Sequence, residues 1–206
     1  MLLPHVHVHV VPRSNGDLEK NDAIYDMLGA WSPEGAPTIP PPFYVPSDEE
    51  RKPRTYEQMA AEASGYVAAA SSPSAAPAAS PAAAAAAIIG GQPLPAEPFQ
   101  FGRFQLDPSQ LFYASLLSVA IVNLKPLCPG HVLVVPKRNV PRMVDLSDEE
   151  RRDLWRAVRE VQAIVMGVHG AEACKVGVQD GEASGQSVPH VHVHVLPQQP
   201  PQRAAA

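Results

Sequence analysis

PHVHVHVLP, residues 189–197, is the stretch that decides how this chain is read. His190, His192 and His194 alternate with Val191, Val193 and Val195. Side chains on a β-strand alternate between its two faces. The pattern therefore predicts three imidazoles on one face and three valines on the other. A helix would scatter them, because residues two apart diverge around its axis. The valine face requires a core. The histidine face gathers the side chain best suited to proton transfer and nucleophilic attack near neutral pH. The stretch is written twice: residues 4–12 read PHVHVHVVP, with His5, His7 and His9.

Four readings compete for such a histidine face: solvent-facing polar residues, a metal site, general acid–base chemistry, and nucleophilic catalysis at phosphorus. Exposed strand faces usually carry Thr, Lys or Glu, which counts against the first. Neutral imidazoles bind zinc, but a closed site needs a third or fourth ligand. The spare candidates are His131, His169 and distant carboxylates, so no metal site is assigned. The fourth reading gains from the loop ahead of the strand, DGEASGQSVP at 180–189. Ser184, Gly185, Gln186 and Ser187 offer backbone N–H groups and polar side chains where a phosphate would lie. Glycine lets the backbone approach it closely.

Working outward, Ala173–Gln179 is expected to be a strand, with Cys174, Val176 and Val178 on one face. Ser147 and Glu150 form a capping-box pattern that opens a helix to about His169, stopped by Gly170. Leu154, Val158, Val161, Val165 and Val168 recur on one side of it and are read as core. Residues 118–124 and His131–Val135 are expected to be strands of an antiparallel hairpin turned at 126–130. Residues 99–106 are expected to be one strand, and 110–117 is ambiguous. Thr55 with Gln58 opens a helix to about Ala70, with Met59, Ala63, Tyr66 and Val67 inward and its glutamates solvated. Asn21 caps a short helix over DAIYDML. Residues 30–53 read as loop, 71–98 as a disordered Ala/Pro/Ser linker, and 199–206 as an unpacked tail.

This is an α+β layout, an antiparallel sheet with one long covering helix. Four units are expected: 1–70 with the first histidine copy, the linker 71–98, a core domain 99–198, and the tail 199–206. The 24 prolines concentrate outside that core. A net charge of −5 argues against a nucleic-acid surface, which needs a basic patch. No apolar run reaches the ~20 residues of a membrane span. Because Met1-Leu2-Leu3 leads straight into the histidine run, no signal peptide is expected. Cys128 and Cys174 have no metal spacing and read as buried reduced thiols of a cytoplasmic protein, with the nucleus as a further location.

HVHVHVLP resembles the histidine-triad motif, His-φ-His-φ-His-φ-φ. The fuller resemblance is to the fragile-histidine-triad branch, the dinucleoside polyphosphate hydrolases. VNLKPLCPGHVLVVPKR (122–138), DLSDEERRDLW (145–155) and VQDGEASGQSVPHVHVHVLP (178–197) carry it. NDAIYDML (21–28) and EQMAAEA (57–63) resemble the branch's tail, which there follows the triad. Here the order is triad, tail, linker, core, triad. It looks like a circular permutation with the triad kept at both ends, or a tandem array cut within each copy; a wrong gene model would give the same string.

The resemblance implies that His192 attacks the α-phosphorus and carries a nucleotidyl group that water then releases. It implies that His194 and Gln186 bind phosphate oxygens, His190 supports the nucleophile, and His131 stands behind the triad. Asn123 would hold a ribose hydroxyl and Gln179 would contact the α-phosphate side. Gly185, Ser187 and Val188 would complete the phosphate loop. Tyr25 matches a surface tyrosine of the branch. Phe104 replaces a histidine often found near the substrate, and Gln198 replaces an arginine that Arg13 keeps in the first copy. The resemblance further implies a homodimer, no tightly bound cofactor, and Mg or Mn accompanying the substrate's polyphosphate. The substrate would be of the diadenosine triphosphate type. A nucleoside phosphoramidase or a nucleotide-binding signalling module is the alternative.

Two triads compete for one strand position. The second copy has its own phosphate loop and the first has only four residues before His5. His192 is therefore favoured as nucleophile, with His7 as the alternative. Against this, the first copy leads straight into the tail segment.

Overall fold

The computed structural model describes residues 8–19, 23, 51–71 and 90–198. Its centre is a five-stranded antiparallel sheet ordered β3-β4-β5-β7-β6. The strands are β3 (Leu111–Ala114), β4 (Ser118–Val122), β5 (Val132–Pro136), β6 (Ala173–Val178) and β7 (Val193–Gln198), with β1 (Phe99–Phe101) and β2 (Phe104–Leu106) forming a separate hairpin. Helix α1 (Tyr56–Ala70) and helix α2 (Asp148–His169) complete the layout. The α+β expectation is the architecture found.

The valines of the histidine stretch explain the layering. Val191, Val193 and Val195 are buried in one cluster with Val132 and Val134 of β5, Leu154, Val158, Val161 and Val165 of α2, and Met59, Ala63 and Tyr66 of α1. Both helices thus lie on the valine face. Fully burying one such aliphatic side chain contributes roughly 1.5–3 kcal/mol. The opposite face carries Leu133, Val135, Val119 and Ile121, covered by Phe99 and Phe101 of the β1–β2 hairpin.

Local signals set the helix limits. Ser147 accepts from the Glu150 N–H, and the Ser147 N–H donates to Glu150 at 2.8 Å. Arg138 grips the same carboxylate with two nitrogens at 2.6 and 2.7 Å. Gly170 closes α2 with φ 59°, a conformation that glycine adopts without strain. Thr55 and Gln58 make the matching capping box of α1.

Several expectations need correction. Residues 99–106 are two strands, because Gly102 at φ 57° reverses the chain. The ambiguous stretch contains β3. Val168 is exposed, since the helix stripe drifts off the sheet in its last turn. Glu62 is not solvated: it pairs with Arg54 and accepts from the Tyr66 hydroxyl at 2.9 Å. Cys128 and Cys174 are free thiols, but half-buried rather than enclosed. Residues 90–98, read as linker, pack on the domain: the Gln92 N–H donates to the Ala114 carbonyl, and Leu94 joins the second core cluster. The triad strand enters its ladder only at Val193. The short helix expected over DAIYDML, His5, His7, the linker's 72–89 and the tail 199–206 lie outside the described residues.

The position between β5 and β6 is filled by the second histidine copy. Of the first copy, His9 is described and exposed, as are Val8 and Val10. Residues 51–71 nonetheless pack on this core, α1 lying against α2, β3 and β4.

Candidate active site

His190, His192 and His194 share the sheet face opposite their valines, and adjacent elements hold each ring. The Gly102 N–H donates to His190 Nδ1 at 3.1 Å, and His190 Nε2–H donates to the Pro136 carbonyl at 2.9 Å. A carbonyl only accepts, so this ring is neutral with its proton on Nε2. His192 Nδ1 lies 2.7 Å from the His190 carbonyl, which places its proton on Nδ1 by the same logic. Its Nε2 then carries an unprotonated lone pair.

A second chain of bonds sets His194. The Leu127 N–H donates to His131 Nδ1 at 3.0 Å, so His131 Nε2–H donates to His194 Nδ1 at 2.9 Å. His194 must therefore hold its proton on Nε2. That atom is enclosed and has no hydrogen-bond partner among the described residues. An orphaned buried donor costs about 1–3 kcal/mol, and such groups call for a ligand. The His192 and His194 rings stand edge to face, 5.0 Å apart. A lone-pair nucleophile and an unsatisfied donor are thus neighbours.

Burial keeps the cluster uncharged. It holds His131 down at about 3, helped by the nearby Arg51 and Arg54 charges and by His192. Burial also pushes His194 well below the usual imidazole value, with His131, His192 and Arg51 adding to it. His192 is lowered by burial, against the opposing pull of the His190 carbonyl. His190 is lowered by burial too. Phe101 seals the site, with its ring 5.5 Å from both His190 and His192.

The remaining candidates surround these rings unequally. Asn123 Nδ2 lies 3.3 Å from His131 Nε2, while its Oδ1 accepts from the Lys125 N–H at 3.0 Å. Val178 pairs with Val193, so continuing the register brings Gln179 level with His192. Gln186 braces its own loop: Oε1 accepts from the Gly181 N–H at 2.7 Å, and Nε2 donates to the Pro141 carbonyl at 2.9 Å. The N–H groups of Ser184, Gly185 and Gln186 are turned into the loop. Those of Ser187 and Val188 make no hydrogen bond among the described residues. Gly185 supplies φ 86° at the end of the loop's short 3-10 turn. Phe104 is exposed under the Arg103 guanidinium. No group of three His, Cys, Asp or Glu able to hold a metal occurs among the described residues.

Two contributors escaped the sequence reading. Arg51, in a stretch read as loop, and Arg54, just ahead of the Thr55 cap, lower the pKa of His131 by their charge. Phe99 and Phe101 were assigned a strand but no role; their alternation around Gln100 was the available signal.

Gly102 offers a direct check on this geometry. A Cβ there would collide with Val188 Cγ1, at a φ that L residues resist. G102A is expected to lower stability by about 1–3 kcal/mol. It should also shift the His190 ring resonances in NMR spectra. Unchanged stability and shifts would show that the hairpin does not hold that ring.

A family model described as the HIT domain matches residues 105–200. Residues 105–200 form a HIT domain. Among curated relatives, the HIT segment is 53% identical over 97 residues to the asymmetrical bis(5'-nucleosyl)-tetraphosphatase of Schizosaccharomyces pombe, covering 47% of this chain and 53% of that protein. It is 48% identical over 99 residues to the bifunctional bis(5'-adenosyl)-triphosphatase/adenylylsulfatase FHIT of Arabidopsis thaliana, covering 48% and 55%. The chain spans about half the length of these relatives. Among solved structures, the Caenorhabditis elegans NitFhit protein superposes with a TM-score of 0.50 at 42% identity, covering 53% of this chain and 27% of that one. The Plasmodium falciparum diadenosine triphosphate hydrolase gives 0.50 at 29% identity, covering 53% and 74%. Within the HIT family the similarity is to the fragile-histidine-triad branch.

Proposed function

We propose that this HIT protein hydrolyses dinucleoside polyphosphates of the diadenosine triphosphate type through a nucleotidyl-histidine intermediate. The observation that carries the reading is the pairing of a bare Nε2 on His192 with an unsatisfied Nε2–H on His194. The fungal relative's name as a bis(5'-nucleosyl)-tetraphosphatase and the plant relative's as a bis(5'-adenosyl)-triphosphatase support the substrate class.

The chemistry follows from the tautomers. The His192 Nε2 lone pair attacks the α-phosphorus, and the P–O bond to the leaving nucleotide breaks with its electrons. The His194 Nε2–H donates to a non-bridging oxygen as charge develops there. The new imidazolium keeps its Nδ1–H on the His190 carbonyl, so that bond becomes charge-assisted and strengthens in the adduct. Water then attacks phosphorus, the P–N bond breaks with its electrons returning to His192 Nε2, and AMP leaves as the water's surplus proton passes to solvent, so that His192 is neutral again. Ser187 and Val188 N–H groups take further oxygens. Gln186 and Gly185 shape their loop, Asn123 meets the ribose and Gln179 the α-phosphate side. His131 fixes the His194 tautomer. A divalent cation, Mg or Mn, arrives with the polyphosphate. The reading includes a homodimer formed at the edge of β6, which is unpaired among the described residues, and a cytoplasmic or nuclear location. Among the described residues no helix is long and apolar enough to cross a membrane.

The test is acid-quenched intact mass after brief exposure to diadenosine triphosphate, followed by peptide mapping. One adenylyl group on the peptide holding His192 is expected. Tight binding with no adduct at any time would replace the hydrolase with a nucleotide-binding module. An adduct mapped to His7 would move the active copy.

A further inference from the structure

Strand β4 leaves its ladder one residue before the site needs it. The last β4–β5 pair is Val122 with Val132, and Asn123 pairs with neither neighbouring strand. Its backbone is held instead by a residue 69 positions away. Arg54 Nε donates to the Asn123 carbonyl at 3.0 Å, and Nη2 closes on the same oxygen. The Arg54 N–H donates to the next carbonyl, that of Leu124, at 3.0 Å.

The side chain of Asn123 follows from that backbone. Its Oδ1 accepts from the Lys125 N–H, which settles which end of the amide donates. Nδ2 lies 3.3 and 3.5 Å from the two ring nitrogens of His131, so the amide packs on the ring rather than aiming at one nitrogen. Both nitrogens are already engaged, Nδ1 by the Leu127 N–H and Nε2–H by His194. The amide donors of half-buried Asn123 are therefore left to a ligand oxygen. Arg54 itself is anchored at its far side. It pairs with Glu62 of α1, Glu62 accepts from the Tyr66 hydroxyl, and that hydroxyl lies 2.8 Å from His169 Nε2 at the end of α2. The clasp on Asn123 is thus tied to both helices.

We propose that Arg54 is a positioning residue of the histidine site: from outside the 105–200 segment it holds the Asn123 amide where a ribose hydroxyl can accept from it, and so gives the site its preference for ribonucleotides. This rests on the polyphosphate reading above, in which Asn123 meets the ribose. A planar guanidinium can set two donors on one carbonyl and keep a third nitrogen for Glu62, whereas a lysine ammonium is a single point on a flexible stem. The segment 51–71 then does more than cover the valine face. It completes the nucleoside side of the site.

The test compares kcat/KM of the full chain for diadenosine triphosphate and for its analogue lacking the 2'- and 3'-hydroxyls. The native chain is expected to prefer the ribose form at least about tenfold, and Asn123→Ala to lose that preference. Arg54→Lys, which keeps a charge for Glu62 but not the fork, should lose most of it, and should change the ratio less than about twofold when added to Asn123→Ala. Glu62→Gln is the structural control: it lowers the melting temperature and keeps the ratio. Should Arg54→Lys not fold, Arg54→Gln with Glu62→Gln removes both charges together and is held to the same ratio. An Arg54 effect equal on both substrates, or additive with Asn123→Ala, overturns the positioning role while the nucleotide site stands. A native ratio near one overturns it through Asn123. Turnover of neither substrate by the native chain refutes the polyphosphate reading and Arg54 with it.

Discussion

H192N is expected to hydrolyse diadenosine triphosphate at least about 10⁴-fold more slowly than the native chain, with its melting temperature nearly unchanged. A drop of 10⁴ is about 5.5 kcal/mol of lost transition-state stabilisation. The size follows from the route. Without the Nε2 lone pair no covalent intermediate forms, and the remaining path is direct attack by water. Asparagine is the informative replacement because its amide still donates to the His190 carbonyl, which the Nδ1–H of His192 meets at 2.7 Å. The backbone there stays supported, so the loss is chemical. Binding of the dinucleotide should persist, since phosphate oxygens are assigned to other donors. H7A is the companion variant and should keep native activity, because the second copy occupies the position between β5 and β6. An active H192N with a dead H7A would assign catalysis to the first copy.

Acid should destabilise this protein steeply. All four site histidines are held below their ordinary pKa, chiefly by burial. In the unfolded chain they protonate near pH 6.5. As pH falls below that value the unfolded state binds protons that the folded state refuses. Stability is therefore complete above pH 6.5 and is lost progressively on the way down to the folded pKa values. His131, held at about 3, alone accounts for a loss on the order of 4–5 kcal/mol across that window. Domains of this size have only about 5–15 kcal/mol in hand. Urea midpoints measured from pH 7.5 to 4.5 should fall throughout, and H131N should flatten the slope even if it lowers the starting stability. Constant midpoints across that range would mean that the imidazoles are solvated. Activity should follow the neutral form of His192 and fall only on the acid side.

Much of this was readable from residue spacing. Strict His-Val alternation assigned opposite faces, because a strand permits no other arrangement. Capping-box residues marked both helix starts, since the bonds involved span three residues. Other features escaped because their partners are remote. Gly102 turned an eight-residue strand candidate into a hairpin, a turn its neighbours do not announce. Glu62 looked solvated until Arg54 and Tyr66 closed on it. Residues 90–98 looked like linker because their partners, Ala114 and the second cluster, lie beyond the local sequence.

The amino-acid order alone thus determined the chemistry offered: three imidazoles on one side of a ribbon, valines on the other, a small-residue loop just ahead. Short-range periodicity is enough for that. Which ring nitrogen carries each proton was decided only in three dimensions. For His190 it depends on the Pro136 carbonyl and the Gly102 amide, which reach the ring only after the chain has folded back on itself; for His192 and His131 it depends on the local backbone bend that turns the His190 carbonyl and the Leu127 amide onto the rings. The same holds for Arg51, whose charge reaches the histidines across more than seventy residues of sequence.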